Sequence, residues 1–129
     1  MLRPLLLVSG MIFIGAASLT WETQAAMQET PATNPVKSTP EGQARAKKQY
    51  GFECEMCHGA TGDGQTDIAK DMKLALTNLA DPKTLEGKTD GEIFDLIKKG
   101  KGQMTGEGDR MKTDEIWNLV TYVRAMAKK

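Results

Sequence analysis

The sequence is poor in the residue types from which most sites are built. Its 129 residues include two cysteines and one histidine. A structural zinc wants four nitrogen or sulfur ligands. Three are on offer, so zinc fits poorly. Aromatic residues make up 5% of the chain. A chain of one-domain length with so few large side chains builds a thin core by itself. A flat apolar group is expected to fill the middle. Net charge is also absent, with 17 basic residues balancing 17 acidic ones. No basic field argues for nucleic acid or for a strongly anionic membrane surface. No convincing strand and no internal repeat can be read.

The longest apolar run lies at the N-terminus. Met1-Leu2-Arg3-Pro4 carries one positive charge, Leu5 to Leu19 is almost wholly apolar, and Thr23-Gln24-Ala25-Ala26 offers small residues to a peptidase. That order describes a secretory signal. Counted from Pro4 to Trp21, the run just reaches the ~18 residues of a spanning helix, so an uncleaved anchor is the alternative. Residues 1–25 are therefore read as a signal peptide or an uncleaved N-terminal anchor. The rest of the chain is expected to be periplasmic or otherwise exported. Residues 26–39, rich in Thr, Pro, Ala, Gln and Asn, read as a flexible linker. Residues 40–129 are the folded domain.

Within that domain three or four helices are expected. The first begins at Ser38 or Thr39, where Ser38-x-x-Glu41 fits a capping box and Pro40 suits the first turn. It runs through Ala44, Ala46, Lys47 and Tyr50 to about Phe52. A weaker helix covers Asp67 to Leu76. A middle helix opens with the capping box Thr89-x-x-Glu92, carries Ile93, Phe94, Leu96 and Ile97 on its apolar side, and stops at Gly100. The last helix starts after Thr113. Its stripe of Ile116, Leu119, Val120 and Val123 is spaced i, i+3, i+4, i+7. Arg124, Lys128 and Lys129 complement its C-terminal dipole. Glycine-rich turns lie between, over Gly59 to Gly64, Asp81 to Lys88 and Gly100 to Gly108. Long loops between short helices suit a wrapped ligand.

Both cysteines and the histidine lie in Cys54-Glu55-Met56-Cys57-His58. Cys-x-x-Cys-His is the pattern of covalent haem attachment. The two thiols add across the two vinyl groups, and the adjacent imidazole reaches the iron from the same side. A thioredoxin-like dithiol would expect a βαβ context, and here the motif follows a helix. A plain Cys54–Cys57 disulfide is chemically open to an exported chain, but a loop so short constrains little of the unfolded state.

One haem c, held by Cys54, Cys57 and His58, is the favoured reading. Its iron has a second axial position, and no second histidine exists to fill it. A methionine thioether is the expected donor. Met1, Met11 and Met27 lie in the leader or linker, and Met56 lies inside the attachment loop on the wrong side. Met72 and Met126 sit in helices, where packing is their ordinary role. Met104 sits in Gly100-Lys101-Gly102-Gln103-Met104-Thr105-Gly106, a backbone able to bend close to a ring. Met104 is the first candidate for the distal iron ligand. Met111, just before the last helix, is the second, with helix stapling as its other role.

These residues resemble the small bacterial monohaem class I cytochromes c, over roughly Pro40 to Lys129. The resemblance rests on Tyr50 to Gly64 around the attachment motif, on Asp114 to Arg124 as a final helix, and on the glycine-rich approach to Met104. It implies an all-α cytochrome c fold whose first and last helices cross, with Ala46 and Tyr50 packed on Leu119 and Tyr122. Two departures from the family pattern stand out. Thr105 follows Met104 where the family commonly has proline. Asp67 stands about where the family has a proline whose carbonyl fixes the ligand histidine, the kind of partner that orients such a ring.

The function expected is one-electron transfer between exported or membrane redox partners, through transient encounters. The chain is read as a monomeric carrier and not an enzyme. Its only expected membrane contact is through the N-terminal segment, should that be retained. Lys98, Lys99 and Lys101 could rim a docking face, or simply complement a helix end. An electron-entry subunit of a larger membrane respiratory complex is the alternative. A haem enzyme or sensor with an open iron site ranks lower, since no peroxidase-type acid–base pair can be placed.

Overall fold

Two adjacent hydroxyls precede the first helix, and the second of them caps it. In the computed structural model, which describes residues 30–127, Thr39 Oγ1 accepts the Gly42 N–H at 3.0 Å and α1 spans Pro40–Glu53. The Ser38–Glu41 box does not form, because Pro40 at the first helical position makes Thr39 the cap. The readings made for residues 1–29, Lys128 and Lys129 lie outside the described residues. After α1 come α2 (Glu55–His58), α3 (Asp67–Asp71), a 3-10 turn (Pro82–Leu85), α4 (Asp90–Lys99) and α5 (Thr113–Met126). The fold is mostly helical, as expected. A minimal antiparallel pair is added, β1 (Gly100–Lys101) against β2 (Met104–Thr105), with Lys101 opposite Met104.

Two helix boundaries differ from the sequence reading. The helix expected from Asp67 to Leu76 stops after Asp71, because Lys73 turns to φ +53° and the Leu74 N–H closes back on the Ala69 carbonyl at 2.8 Å. The last helix includes Thr113, and the Glu115 carboxylate accepts the Lys112 N–H at 2.8 Å at its start. The Thr89–Glu92 capping box of α4 forms in full, and Gly100 ends that helix.

The core lies where α1, α4 and α5 meet. Ala46 and Tyr50 of α1, Ile93, Phe94 and Ile97 of α4, and Ile116, Trp117, Leu119, Val120 and Val123 of α5 are buried together. Ala46 is fully covered, so the backbones of α1 and α5 can come close. The Tyr50 and Tyr122 rings lie 5.4 Å apart, and Phe94 stacks on Trp117 at 4.1 Å. Leu96, expected on the apolar side of α4, is instead 37% exposed.

The stretch read as a flexible linker does not hang free from Thr30 onward. The Ala32 carbonyl accepts the N–H groups of Asp90 and Gly91 at the start of α4. The Asn34 amide donates to the Trp117 carbonyl at 2.8 Å and to Thr121 Oγ1 at 3.0 Å. Gly91 permits this approach, since a Cβ there would collide with the Pro31 carbonyl. Thr, Pro and Asn look unstructured in composition because they have little to bury. Here they are held by hydrogen bonds to the start of α4 and to Asp95, Trp117 and Thr121 within α4 and α5.

Candidate functional site

α1 ends at Glu53, and the next residue begins a single tight turn. The Cys57 and His58 N–H groups both donate to the Cys54 carbonyl, at 3.2 and 2.9 Å. That turn places both cysteines and the histidine within one helical revolution, on one side of α2. The chain on either side of His58 is tied down at several points. Gly64 N–H donates to the His58 carbonyl at 2.8 Å, Thr66 Oγ1 donates to the Cys57 carbonyl at 3.2 Å, and the buried Tyr50 hydroxyl donates to the Gly59 carbonyl at 2.8 Å. The attachment loop is thus braced by α1 from below and by the entry to α3 from the side.

The loop faces a cleft of two adjoining lobes, about 440 and 230 Å³. Cys54, Cys57, His58 and Met104 all line the larger lobe. Cys54, His58, Ile97, Lys101 and Met104 line both. Leu74, Leu76 and Ile97 supply apolar wall in one lobe, and Leu79, Ile93, Leu96, Leu119 and Val123 in the other. The exposure of Leu96 follows from its place in this wall. The smaller lobe is mainly apolar, whereas the larger one is lined by charged groups as well: Glu53, Lys73, Lys101, Glu107 and Arg110.

Cys54 and Cys57 are free thiols, each half-buried. Burial first, then the nearby Glu107 and Glu53 carboxylates, push the Cys54 thiol up to about 12, against a smaller opposing effect of Arg110. Burial lowers the His58 imidazole below its ordinary value, which favours the neutral ring that can ligate a metal. Its Nδ1 is buried without a hydrogen-bond partner. No carbonyl near Asp67 takes that role; Asp67 instead opens α3. Among the described residues no group of three or more His, Cys, Asp and Glu side chains is arranged to hold a metal ion.

Met104 reaches the cleft from β2, on the wall formed by the glycine-rich loop. Gly100 makes this possible: at φ +75° it ends α4, and its missing Cβ leaves room for the Met104–Gly106 backbone. Met111 is half-buried against the core and lines neither lobe. Met126 packs in the core, but Met72 is 50% exposed at the end of the shortened α3. Met56, 59% exposed, borders the larger lobe. Of the three lysines proposed as a rim, only Lys101 lines the cleft. Lys99 pairs with Asp95 at 2.7 Å, and Lys98 lies 5.7 Å from the Phe94 ring centre.

The sequence reading overlooked Glu107. It is 4% exposed, lines the larger lobe, and has one carboxylate oxygen without a partner. Only its place in the methionine loop, three residues past Met104, could have drawn attention to it.

The donor set therefore fits covalent haem: two free thiols and a neutral imidazole on one wall, a thioether on the same lobe, and apolar surface between. Comparison with known proteins bears on the same stretch. A family described as "Cytochrome C oxidase, cbb3-type, subunit III" matches residues 39–123. Among solved structures, the KustC0563 c-type cytochrome is 27% identical, with a TM-score of 0.57 over 63% of this chain and 95% of its own. Cytochrome c6 from the diatom Phaeodactylum tricornutum is 23% identical, with a TM-score of 0.53 over 67% of this chain and 94% of its own. A chain of the Kuenenia stuttgartiensis reducing HAO-like protein complex Kustc0457/Kustc0458 is 22% identical, with a TM-score of 0.63 over 74% of this chain and 48% of its own. No curated protein sequence matches.

Proposed function

Because this chain belongs to the cytochrome c family described as cytochrome c oxidase, cbb3-type, subunit III, whose domains bind haem covalently and transfer electrons, we propose that it is a monohaem, His/Met-ligated electron carrier. The observation that carries the proposal is the convergence of Cys54, Cys57, His58 and Met104 on one lobe of one cleft. Cys54 and Cys57 would hold the group through thioether bonds, and His58 and Met104 would be the protein donors to its iron. The haem supplies a centre that gains and loses one electron. The chain's part would be to fix the two donors, His58 and Met104, and to shield the ring with the leucine and isoleucine walls of the cleft. With His58 and Met104 both bound to the iron, no position would be left on it for a substrate. That is why we read the chain as a carrier and not an enzyme. Phe52 and Met56, both exposed and both lining the larger lobe, form the mouth at which a redox protein meets it. The apolar run at residues 5–19 supports the reading that the chain is exported.

A second reading, an electron-entry subunit of a membrane respiratory complex, is favoured by the family description and by the structural neighbour found in a protein complex. Among the described residues no helix is long and apolar enough to cross a membrane. Under this reading residues 1–25 or a partner would supply the membrane attachment.

Absorption spectroscopy tests the ligation. The charge-transfer feature of the oxidised iron–thioether bond is expected to vanish in Met104→Ala and to persist in Met111→Ala. Rapid carbon monoxide binding by the untreated reduced protein would contradict a filled distal site.

A further inference from the structure

Glu107 sits in the cleft wall without a task in electron transfer as described. Its N–H donates to the Ile97 carbonyl at 2.9 Å, and its own carbonyl accepts the N–H groups of Arg110 and Met111. The backbone is therefore fixed, and the side chain is held with it, 6% exposed. One carboxylate oxygen meets Arg110 at 2.6 Å; the other is buried and has no partner. Arg110 reaches on to Glu53 at 3.2 Å. These three groups flank Cys54, and all three line the larger lobe, one from the end of α1 and two from the methionine loop. Two acids against one base leave one net negative charge. A buried unit charge is weakly screened compared with an exposed one.

Resting on the haem reading, we propose that the Glu53–Arg110–Glu107 cluster sets the reduction potential of this cleft, Glu107 being the positioning charge that favours the oxidised, more positive iron. The effect is electrostatic. Oxidation adds one positive charge to the group in the cleft, and a carboxylate in its wall stabilises that state. Arg110 holds this effect in check and fixes the carboxylate. Arg110 and Glu53 are partly exposed, at 53% and 36%, so solvent screens them more than Glu107. Lys73 and Lys101, the other charged groups lining this lobe, are exposed.

The test is a redox titration of the haem-loaded, full-length protein and its variants. Glu107→Gln removes the buried negative charge and should raise the potential. Arg110→Gln leaves two acids uncompensated and should lower it. Each shift should be about tenfold in the oxidised-to-reduced ratio at a fixed poise, equivalent to ~59 mV for one electron. Glu53→Gln should raise the potential by less, and Glu41→Gln, at the outer end of α1, should not move it. Should Glu107→Gln fail to load haem, Arg110→Gln and Glu53→Gln still carry the test of sign. Opposite shifts support the cluster. A haem-loaded Glu107→Gln and Arg110→Gln pair with unmoved potentials, or shifted the same way, would overturn this inference alone. A folded parent protein that carries no haem would overturn the haem reading and this inference with it.

Discussion

Replacing Gly100 by alanine should damage this protein more than replacing Gly102, only two residues away. Gly100 has φ +75° and ψ 176°, a region that side-chain-bearing residues avoid at a cost of ~1–3 kcal/mol. A Cβ there would lie 2.6 Å from the Gly106 nitrogen and 2.9 Å from the Thr105 carbonyl carbon, and against the Met104 carbonyl oxygen as well. These are backbone atoms, so no rotamer change relieves the contact and the β1–β2 hairpin must move. Overpacking of this kind adds ~1–3 kcal/mol. The expected total for Gly100→Ala is about 3 kcal/mol, within the sum of both ranges. Gly102 has φ +60° but nothing within 4 Å of its would-be Cβ. Its alanine variant should cost only the left-handed penalty, ~1 kcal/mol. Denaturant midpoints of the haem-loaded variants give the energies. The iron–thioether charge-transfer feature reports whether Met104 still reaches its place. Gly100→Ala should weaken that feature and Gly102→Ala should keep it. Equal midpoints with both spectra intact would refute the role given to Gly100.

Two further changes probe the supports of the site. Tyr50→Phe removes the 2.8 Å bond to the Gly59 carbonyl. That carbonyl also accepts from Gly62 N–H, so the loss should be near ~1 kcal/mol, about 4–8 °C in Tm for a domain of this size. Thr89→Ala removes the cap of α4, at ~1 kcal/mol at neutral pH. The Glu92 carboxyl is held below its ordinary value by its hydrogen bonds from the Thr89 backbone and then side chain. Its contribution is complete above the usual carboxylate range and is lost as pH falls through it. The gap in stability between parent and Thr89→Ala should therefore narrow on acidification, and a gap that stays constant to pH ~3 would contradict this.

Much of this arrangement was legible in local pattern. The Thr89 cap, the Gly100 stop and the α5 stripe are each set within a few residues, and the structure places them as read; the Cys54–His58 motif is local in the same way. Met104 was separated from Met111 by its glycine-rich setting, and the structure keeps that difference by lining the cleft with one and not the other. What escaped depends on contacts between distant segments. The Thr30–Asn34 strap is held by α4 and α5 groups more than 50 residues away in sequence. Glu107 is ordinary in sequence and notable only once burial strands its oxygen. Leu96 fits the helix period of a core residue, yet it faces a cleft that periodicity does not reveal. The shortened α3 turned on Lys73 adopting a left-handed conformation that its residue type does not announce.

The most direct measurement is the intact mass of the purified protein from cells equipped to attach haem, followed by the mass of the peptide holding Cys54 to His58. One haem should be added to the chain, carried on that peptide through both sulfurs. A folded chain at its bare mass, or two hydrogens lighter through a Cys54–Cys57 bond, would contradict covalent haem attachment.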